Sequence, residues 1–148
     1  MSLRIFLCHA HEDRQAVSDL YQRLKGEGFQ PWMDKKDLLP GQAWQLEIPK
    51  AVRAADVVLA CLSAQFVSKA GYAQREIKLA LDTADLQPEG TIFVIPLRLE
   101  ECEVPERLRC WHWCDYFEEE GYGLLLRALR FRAEQCPLKP APSPPSPP

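Results

Sequence analysis

Apolar positions along this chain alternate between two rhythms, and the alternation predicts the elements. Arg4 to Cys8 is a short apolar run of strand type, followed by Val17, Leu20, Tyr21 and Leu24 at helical spacing. Asp13 stands where a helix cap belongs, and Gly26 and Gly28 supply the stop. Phe29 to Met33 reads as a second strand, and Trp44, Ile48, Ala51, Val52 and Ala55 mark a second helix across a loop holding Leu38-Leu39-Pro40-Gly41. Val57 to Leu62 is apolar throughout, as a strand covered on both faces would be. A helix from Tyr72 follows, then a fourth apolar run, Ile92 to Leu97, with Pro96 near its end. Leu108 to Trp113 completes the set as a fifth, shorter edge strand, and Tyr122 to Phe131 as a closing helix burying Leu125, Leu126 and Leu129. Five strands alternating with helices predict an α/β fold, a doubly wound parallel sheet with helices on both faces.

Composition narrows the picture in three places. With 148 residues, 47% hydrophobic and 26% charged, the chain suits one globular domain with a real core. Its net charge of -3 argues against nucleic-acid or anionic-membrane binding driven by a basic face. No apolar stretch approaches the roughly 18 residues of a membrane helix, and Met1 to Cys8 is too short a run for a signal sequence, so a cytoplasmic protein is expected. From Pro137 the chain runs Pro-Leu-Lys-Pro-Ala-Pro-Ser-Pro-Pro-Ser-Pro-Pro, a polyproline-like tail with almost nothing to bury. The domain is therefore expected over residues 1–136, with 137–148 as a linker toward a further domain.

The six cysteines read as reduced thiols, with Cys8 and Cys61 as small core residues. Cys110, His112 and Cys114 alternate at period two, with Cys102 nearby as a fourth potential metal ligand. The paired C-x2-C spacing of closed zinc sites is missing, so these are expected to be half-buried strand residues and no metal is assigned.

A doubly wound sheet binds ligands outside the carboxyl ends of its strands, where strand order reverses. In the flavodoxin-like order 2-1-3-4-5 that point lies between the first and third strands. There the sequence offers Cys8-His9-Ala10-His11-Glu12-Asp13, and Ser63 to Gly71 followed by Tyr72 and Glu76. None of the seven glycines is arranged as a dinucleotide fingerprint or a P-loop, and the third strand ends in Cys61-Leu62-Ser63 rather than the aspartate of a phosphoacceptor receiver. On a helix, Tyr72 and Glu76 share one face, so an aromatic plate and an acid look into the same space.

Phe6-Leu7-Cys8-His9 at the end of the first strand, Asp37-Leu38-Leu39-Pro40-Gly41 after the second, and Ser68 through Tyr72 to Glu76 after the third together resemble the TIR (Toll/interleukin-1 receptor) domain family. The likeness runs from about Leu3 to Arg132, and Trp44 shortly after the loop glycine is similar to many bacterial members. Cys8 replaces the usual serine of the first motif, Ala10 and His11 stand where arginines often follow, and Gly71 and Ala73 replace the usual Trp-Cys beside the glutamate.

The resemblance implies a TIR-type NAD+ glycohydrolase that releases nicotinamide and either ADP-ribose or a cyclic ADP-ribose isomer, with NAD+ as substrate and no cofactor. It implies an effector of a bacterial defence or signalling protein, active through TIR–TIR assembly into homo-oligomers or filaments. The alternative within the family is a non-catalytic scaffold for homotypic interaction. Glu76 is the implied catalytic residue, and Ser68, Tyr72, His9, His11, Trp32, Asp34 and Trp44 are the candidates for substrate contact. His9 and His11 read first as loop or capping residues, and their place after the first strand also offers them to phosphate or ribose. Trp44 suits either core packing with Ile48 and Ala51 or stacking on a flat ring, Trp32 carries the same ambiguity, and Asp34 reads equally as the start of a turn. Leu38, Leu39, Pro40 and Gly41 are the implied assembly loop.

Overall fold

The computed structural model describes residues 3–68 and 72–136, and the proline-rich segment 137–148 lies outside the described residues. Five parallel strands, β1 (Arg4–Cys8), β2 (Gln30–Trp32), β3 (Val57–Leu62), β4 (Val94–Arg98) and β5 (Cys114–Asp115), lie in the order β2-β1-β3-β4-β5. This is the expected flavodoxin-like sheet. The helices are α1 (Arg14–Gly26), α2 (Asp34–Asp37), α3 (Trp44–Ala54), α4 (Ala64–Ser68), α5 (Tyr72–Ala84) and α6 (Gly121–Gln135).

Two cores, one on each face, account for the continuous apolar runs. β3 sits centrally and every one of its residues is buried, Leu59 and Cys61 toward one face, Val58, Ala60 and Leu62 toward the other. The first core packs Val17, Leu20 and Leu24 of α1 and Leu125 and Leu129 of α6 against Ile5, Leu7 and Leu97. The second packs Ile48 and Val52 of α3, Phe66 of α4, and Ile77 and Ala80 of α5 against Phe6, Cys8 and Val94. A fully buried leucine or phenylalanine contributes about 1.5–3 kcal/mol by leaving water, so these two layers supply the main driving force.

The fifth strand is not where the hydrophobic run places it. Leu108 closes a 3-10 turn, Glu106–Leu108, the chain turns through Cys110, and β5 is the two-residue segment Cys114–Asp115. Pro96 explains the shift. Tyr116 N–H donates to Arg98 O at 2.9 Å, so Arg98, and Pro96 two residues before it, turn their backbone groups toward β5. Proline has no N–H to offer there, so pairing cannot extend back along β4 past Leu97, which sits opposite Cys114. Cys110 and His112 are consequently exposed on the turn instead of aligned with Cys114 on one strand face.

Asp13 also departs from expectation. It precedes α1 without capping it through its side chain, and its carboxylate instead accepts a hydrogen bond from the hydroxyl of Ser63.

β5 is joined to the body by charge rather than by ladder length. Arg98 Nε and Nη2 donate to the two Asp115 oxygens at 2.6 and 2.9 Å, and Nη1 donates to Cys102 O at 2.8 Å. These hydrogen bonds hold the Asp115 carboxyl below its ordinary range. A depressed value in the folded state means stability that is complete above the unfolded carboxylate range and disappears as the pH falls through it toward the folded value. Asp115→Asn is therefore expected to lower unfolding free energy by about 1–3 kcal/mol at pH 7, with the gap from wild type closing below about pH 4. Denaturant titrations at a series of pH values check this, and a gap independent of pH would refute it.

Candidate functional site

β1 and β3 pair directly, and the segments that follow them are tied by a part-buried contact between Asp13 and Ser63. Ser63, 1% exposed, follows β3 directly. Its hydroxyl donates to Asp13 and accepts the backbone N–H of Phe66 at 3.1 Å, so a single side chain caps α4 and ties it to the loop after β1. Ala64 N–H donates to a Glu100 carboxylate oxygen at 2.9 Å, bringing the loop after β4 to the same helix end. This end of the sheet is thus a set of loops locked to one another. Burial, with Asp13 nearby, pushes the Cys61 thiol well up, so it stays protonated and behaves as a small apolar residue.

Glu76 lies one turn into α5 and is 6% exposed, one of the few charged residues buried among those described. Ile77 and Ala80 anchor the same helix in the second core, and α5 packs against α3, β1 and β4. Glutamates are almost never buried this far without a reason, because taking a carboxylate out of water is costly. Tyr72 opens α5, and its side chain lies outside the described residues. Ser68 ends α4, exposed, its hydroxyl 3.5 Å from Gln65 O. His9, part-buried at the end of β1, holds Nδ1 3.4 Å from Leu7 O, and exposed His11 shares Nε2 with Arg14 at 3.0 Å.

Trp32 ends β2 with its ring stacked on Phe6, centroids 5.3 Å apart and planes at 13°. It lines a cleft of about 470 Å³ that runs between β2 and α3, floored by Ala51, Ala54 and Ala55 and edged by Asp37, Gln42, Glu47 and Lys50. Glu76, His9 and His11 do not line this cleft. Trp32 therefore belongs partly to the core and partly to a neighbouring groove. Asp34 is the first residue of α2, and its side chain lies outside the described residues. Trp44 begins α3 and is 45% exposed, so it does not pack with Ile48 in the core.

The loop between α2 and α3 is built to present its tip. Leu39 O accepts Gln42 N–H at 3.0 Å and Gly41 sits at φ +94°, the geometry of a type II turn with proline second and glycine third. Gln42 closes the turn again by accepting Leu39 N–H on its side-chain oxygen at 2.7 Å. Asp37 anchors the base, accepting Tyr21 O–H at 3.2 Å and Met33 N–H at 3.0 Å. Burial first, and Asp37 second, raise the Tyr21 phenol. Leu38 is half-buried, Pro40 and Gly41 are exposed, and Leu39 stands 62% exposed at the tip, with Trp44 and Leu46 exposed just beyond.

The sequence places Ser63 and Asp37 within candidate loops without showing their anchoring roles, and it gives no sign of Gln74. Gln74, two residues before Glu76, donates from Nε2 to Phe66 O at 3.0 Å and accepts Arg107 Nη2 at 2.6 Å. Ser63 has a local signal, a serine directly between a strand and a helix, and Asp37 opens the motif that runs to Gly41.

Comparison with known proteins agrees with this architecture. A protein of Sinorhizobium fredii described as uncharacterized protein y4cD is 32% identical over 108 residues, 72% of this chain, and the matched part is 16% of that protein's length. The crystal structure of the TIR domain of the Toll-related receptor TRR-2 from Hydra magnipapillata superposes with a TM-score of 0.71 at 21% identity, over 85% of this chain and 97% of that one. Clostridium botulinum CMP N-glycosidase, BcmB, superposes at 0.55 and 18% identity, over 84% of this chain and 98% of that one. At such identities the structural likenesses speak for the fold alone. The TIR domain family model, however, matches residues 5–126, most of the chain. The chain belongs to the TIR domain family.

Proposed function

We propose that the domain cleaves the nicotinamide–ribose bond of NAD+, with Glu76 as its catalytic carboxylate. The observation that carries this reading is the burial of Glu76 on α5, the helix leading from the locked loops at the carboxyl end of the sheet. Nicotinamide in NAD+ is a cationic leaving group that departs neutral, so no acid is needed to protonate it. As the C1′–N bond breaks, positive charge builds on the ribose ring, and a fixed carboxylate in a poorly hydrated site stabilises that charge and accepts hydrogen bonds from the ribose hydroxyls. Capture of the cation by water gives ADP-ribose and a proton. Capture by the adenine, with loss of a proton, gives a cyclic ADP-ribose, one water short of ADP-ribose. A structural neighbour named as a CMP N-glycosidase supports the reading, since it too is named for breaking an N-glycosidic bond of a nucleotide. The test is NAD+ consumption by concentrated protein, with products separated by chromatography. Absence of turnover under every assembly condition would favour the scaffold alternative.

In this reading assembly switches the activity on. Leu39 projects from a turn closed by two hydrogen bonds between Leu39 and Gln42, so its exposed side chain is offered to another surface without unfolding the loop. Head-to-tail contacts between copies of this domain would cover it and extend into filaments. Specific activity is expected to rise about tenfold or more with protein concentration. Leu39→Glu should flatten that rise while leaving the monomer folded by circular dichroism. Equal, flat profiles for both proteins would rule assembly out as the switch.

A further inference from the structure

We propose that Gln74 is the positioning residue for Glu76, a latch that sets the rotation of α5 about its own axis. The inference rests on the catalytic reading of Glu76 above. Its physical basis is the two-sided grip of one amide. The Gln74 Nε2 donates to Phe66 O in α4, and its Oε1 accepts from Arg107 in the 3-10 turn Glu106–Leu108. Both posts stand on anchored backbone, the Arg107 side chain itself being exposed. Phe66 has its ring 1% exposed and its N–H held by Ser63, which is in turn held by Asp13. The 3-10 turn is pinned by Leu108, 0% exposed, and by Arg109 Nε donating to Val104 O at 2.7 Å.

Residues two apart on an α-helix point about 200° away from each other. Gln74 therefore grips α5 on the side away from Glu76, and the apolar contacts of Ile77 and Ala80 hold the helix further along. Apolar packing alone tolerates small rotations, because it has no preferred direction. Hydrogen bonds lose strength quickly as they bend, so the latch resists the same rotations. A rotation of ~20° would swing a carboxylate ~6–7 Å from the helix axis by roughly 2 Å, enough to spoil its placement against a ribose ring. The amide suits both posts because it carries a donor and an acceptor on one planar group. A carboxylate would keep Arg107 and lose Phe66 O, and an aliphatic side chain would lose both.

The experiment measures kcat and KM for NAD+ with wild type, Gln74→Ala, Arg107→Ala and the double variant, alongside hydrogen–deuterium exchange of the α5 amides in the same proteins. Gln74→Ala is expected to lower kcat by about 10- to 100-fold with KM within about threefold, and to speed exchange in the first turns of α5. Arg107→Ala, an exposed change that should not threaten folding, should give a smaller loss in the same direction. The double variant should be no worse than Gln74→Ala alone. An unchanged kcat in Gln74→Ala overturns the latch. So does a loss of kcat with α5 exchange unaltered, which would mean contact with substrate instead of positioning. If wild type turns over no NAD+, the catalytic reading fails by itself, and unaltered α5 exchange in Gln74→Ala and Arg107→Ala would then sink the latch as well.

Discussion

Glu76→Gln is expected to reduce NAD+ turnover by about 10³-fold or more while leaving the fold and its thermal stability nearly unchanged. The substitution keeps the size and shape of a side chain that is 6% exposed, so it creates no cavity. What it removes is the negative charge. Loss of one pre-organised electrostatic group typically costs 10²–10³ in kcat, or about 3–4 kcal/mol of transition-state stabilisation. In the proposed mechanism the lost group would carry a full charge opposite a developing cation, which places the expectation at the upper end. Burial makes the effect larger still, because a poorly hydrated site has little water to substitute for the missing carboxylate. A structural change would confuse the result, so melting temperature and circular dichroism are measured beside turnover. Wild-type turnover in folded Glu76→Gln protein would end the assignment. A scaffold-only domain predicts no turnover in either protein and loss of partner binding when the loop around Leu39 is altered.

The parts of this fold that are legible in the sequence are those written in local periodicity. β3 and most of β4 show as continuous apolar runs because both of their faces are covered, and α1 shows as Val17, Leu20, Tyr21 and Leu24 because only one of its faces is. The fifth strand was misplaced for a reason that local pattern cannot carry. Its extent is decided by Pro96 on the neighbouring strand, which lacks the N–H that further pairing would need, and by the Arg98–Asp115 ion pair that fixes what remains. Trp44 was ambiguous because its spacing to Ile48 is helical, yet it sits on the first turn, beyond the cover of the second core, and is exposed. The site divides in the same way. Glu76 and the loop Leu38 to Gly41 are visible as motifs, whereas the Asp13–Ser63 and Gln74–Arg107 contacts join residues 50 and 33 positions apart and leave no trace in spacing.

The second large effect is structural: Gly121→Ala is expected to destabilise the domain by about 3 kcal/mol or more, even though alanine is normally the better residue in a helix. Propensity alone would make the change favourable by at most roughly 1 kcal/mol, the helix-interior figure, since Gly121 is the first residue of α6. Close approach reverses the sign. A Cβ on Gly121 would lie 2.1 Å from Asp115 O, 2.9 Å from Asp115 C and 2.9 Å from Tyr116 Cα. These are backbone atoms of and beside β5, and they cannot turn aside as a side chain would. Asp115 is held by the bidentate Arg98 contact, Tyr116 N–H by Arg98 O, and the Tyr116 hydroxyl by Arg23 at 2.8 Å. Relief therefore requires α6 to back away from β5. That movement would disturb the contact of Cys114 Sγ with Gly121 O at 3.3 Å and the Arg23 guanidinium lying 3.6 Å from the Tyr122 ring centroid. It would also loosen Leu125 and Leu129, buried at 1% and 0%, from the first core. Overpacking ordinarily costs about 1–3 kcal/mol, and a clash against restrained backbone belongs at or above the top of that range. Chemical denaturation of Gly121→Ala beside Gly123→Ala provides the control, since nothing lies within 4 Å of a Cβ at Gly123. Gly123→Ala should be neutral or stabilising. Equal stabilities for the two variants would show that β5 and α6 can separate without cost.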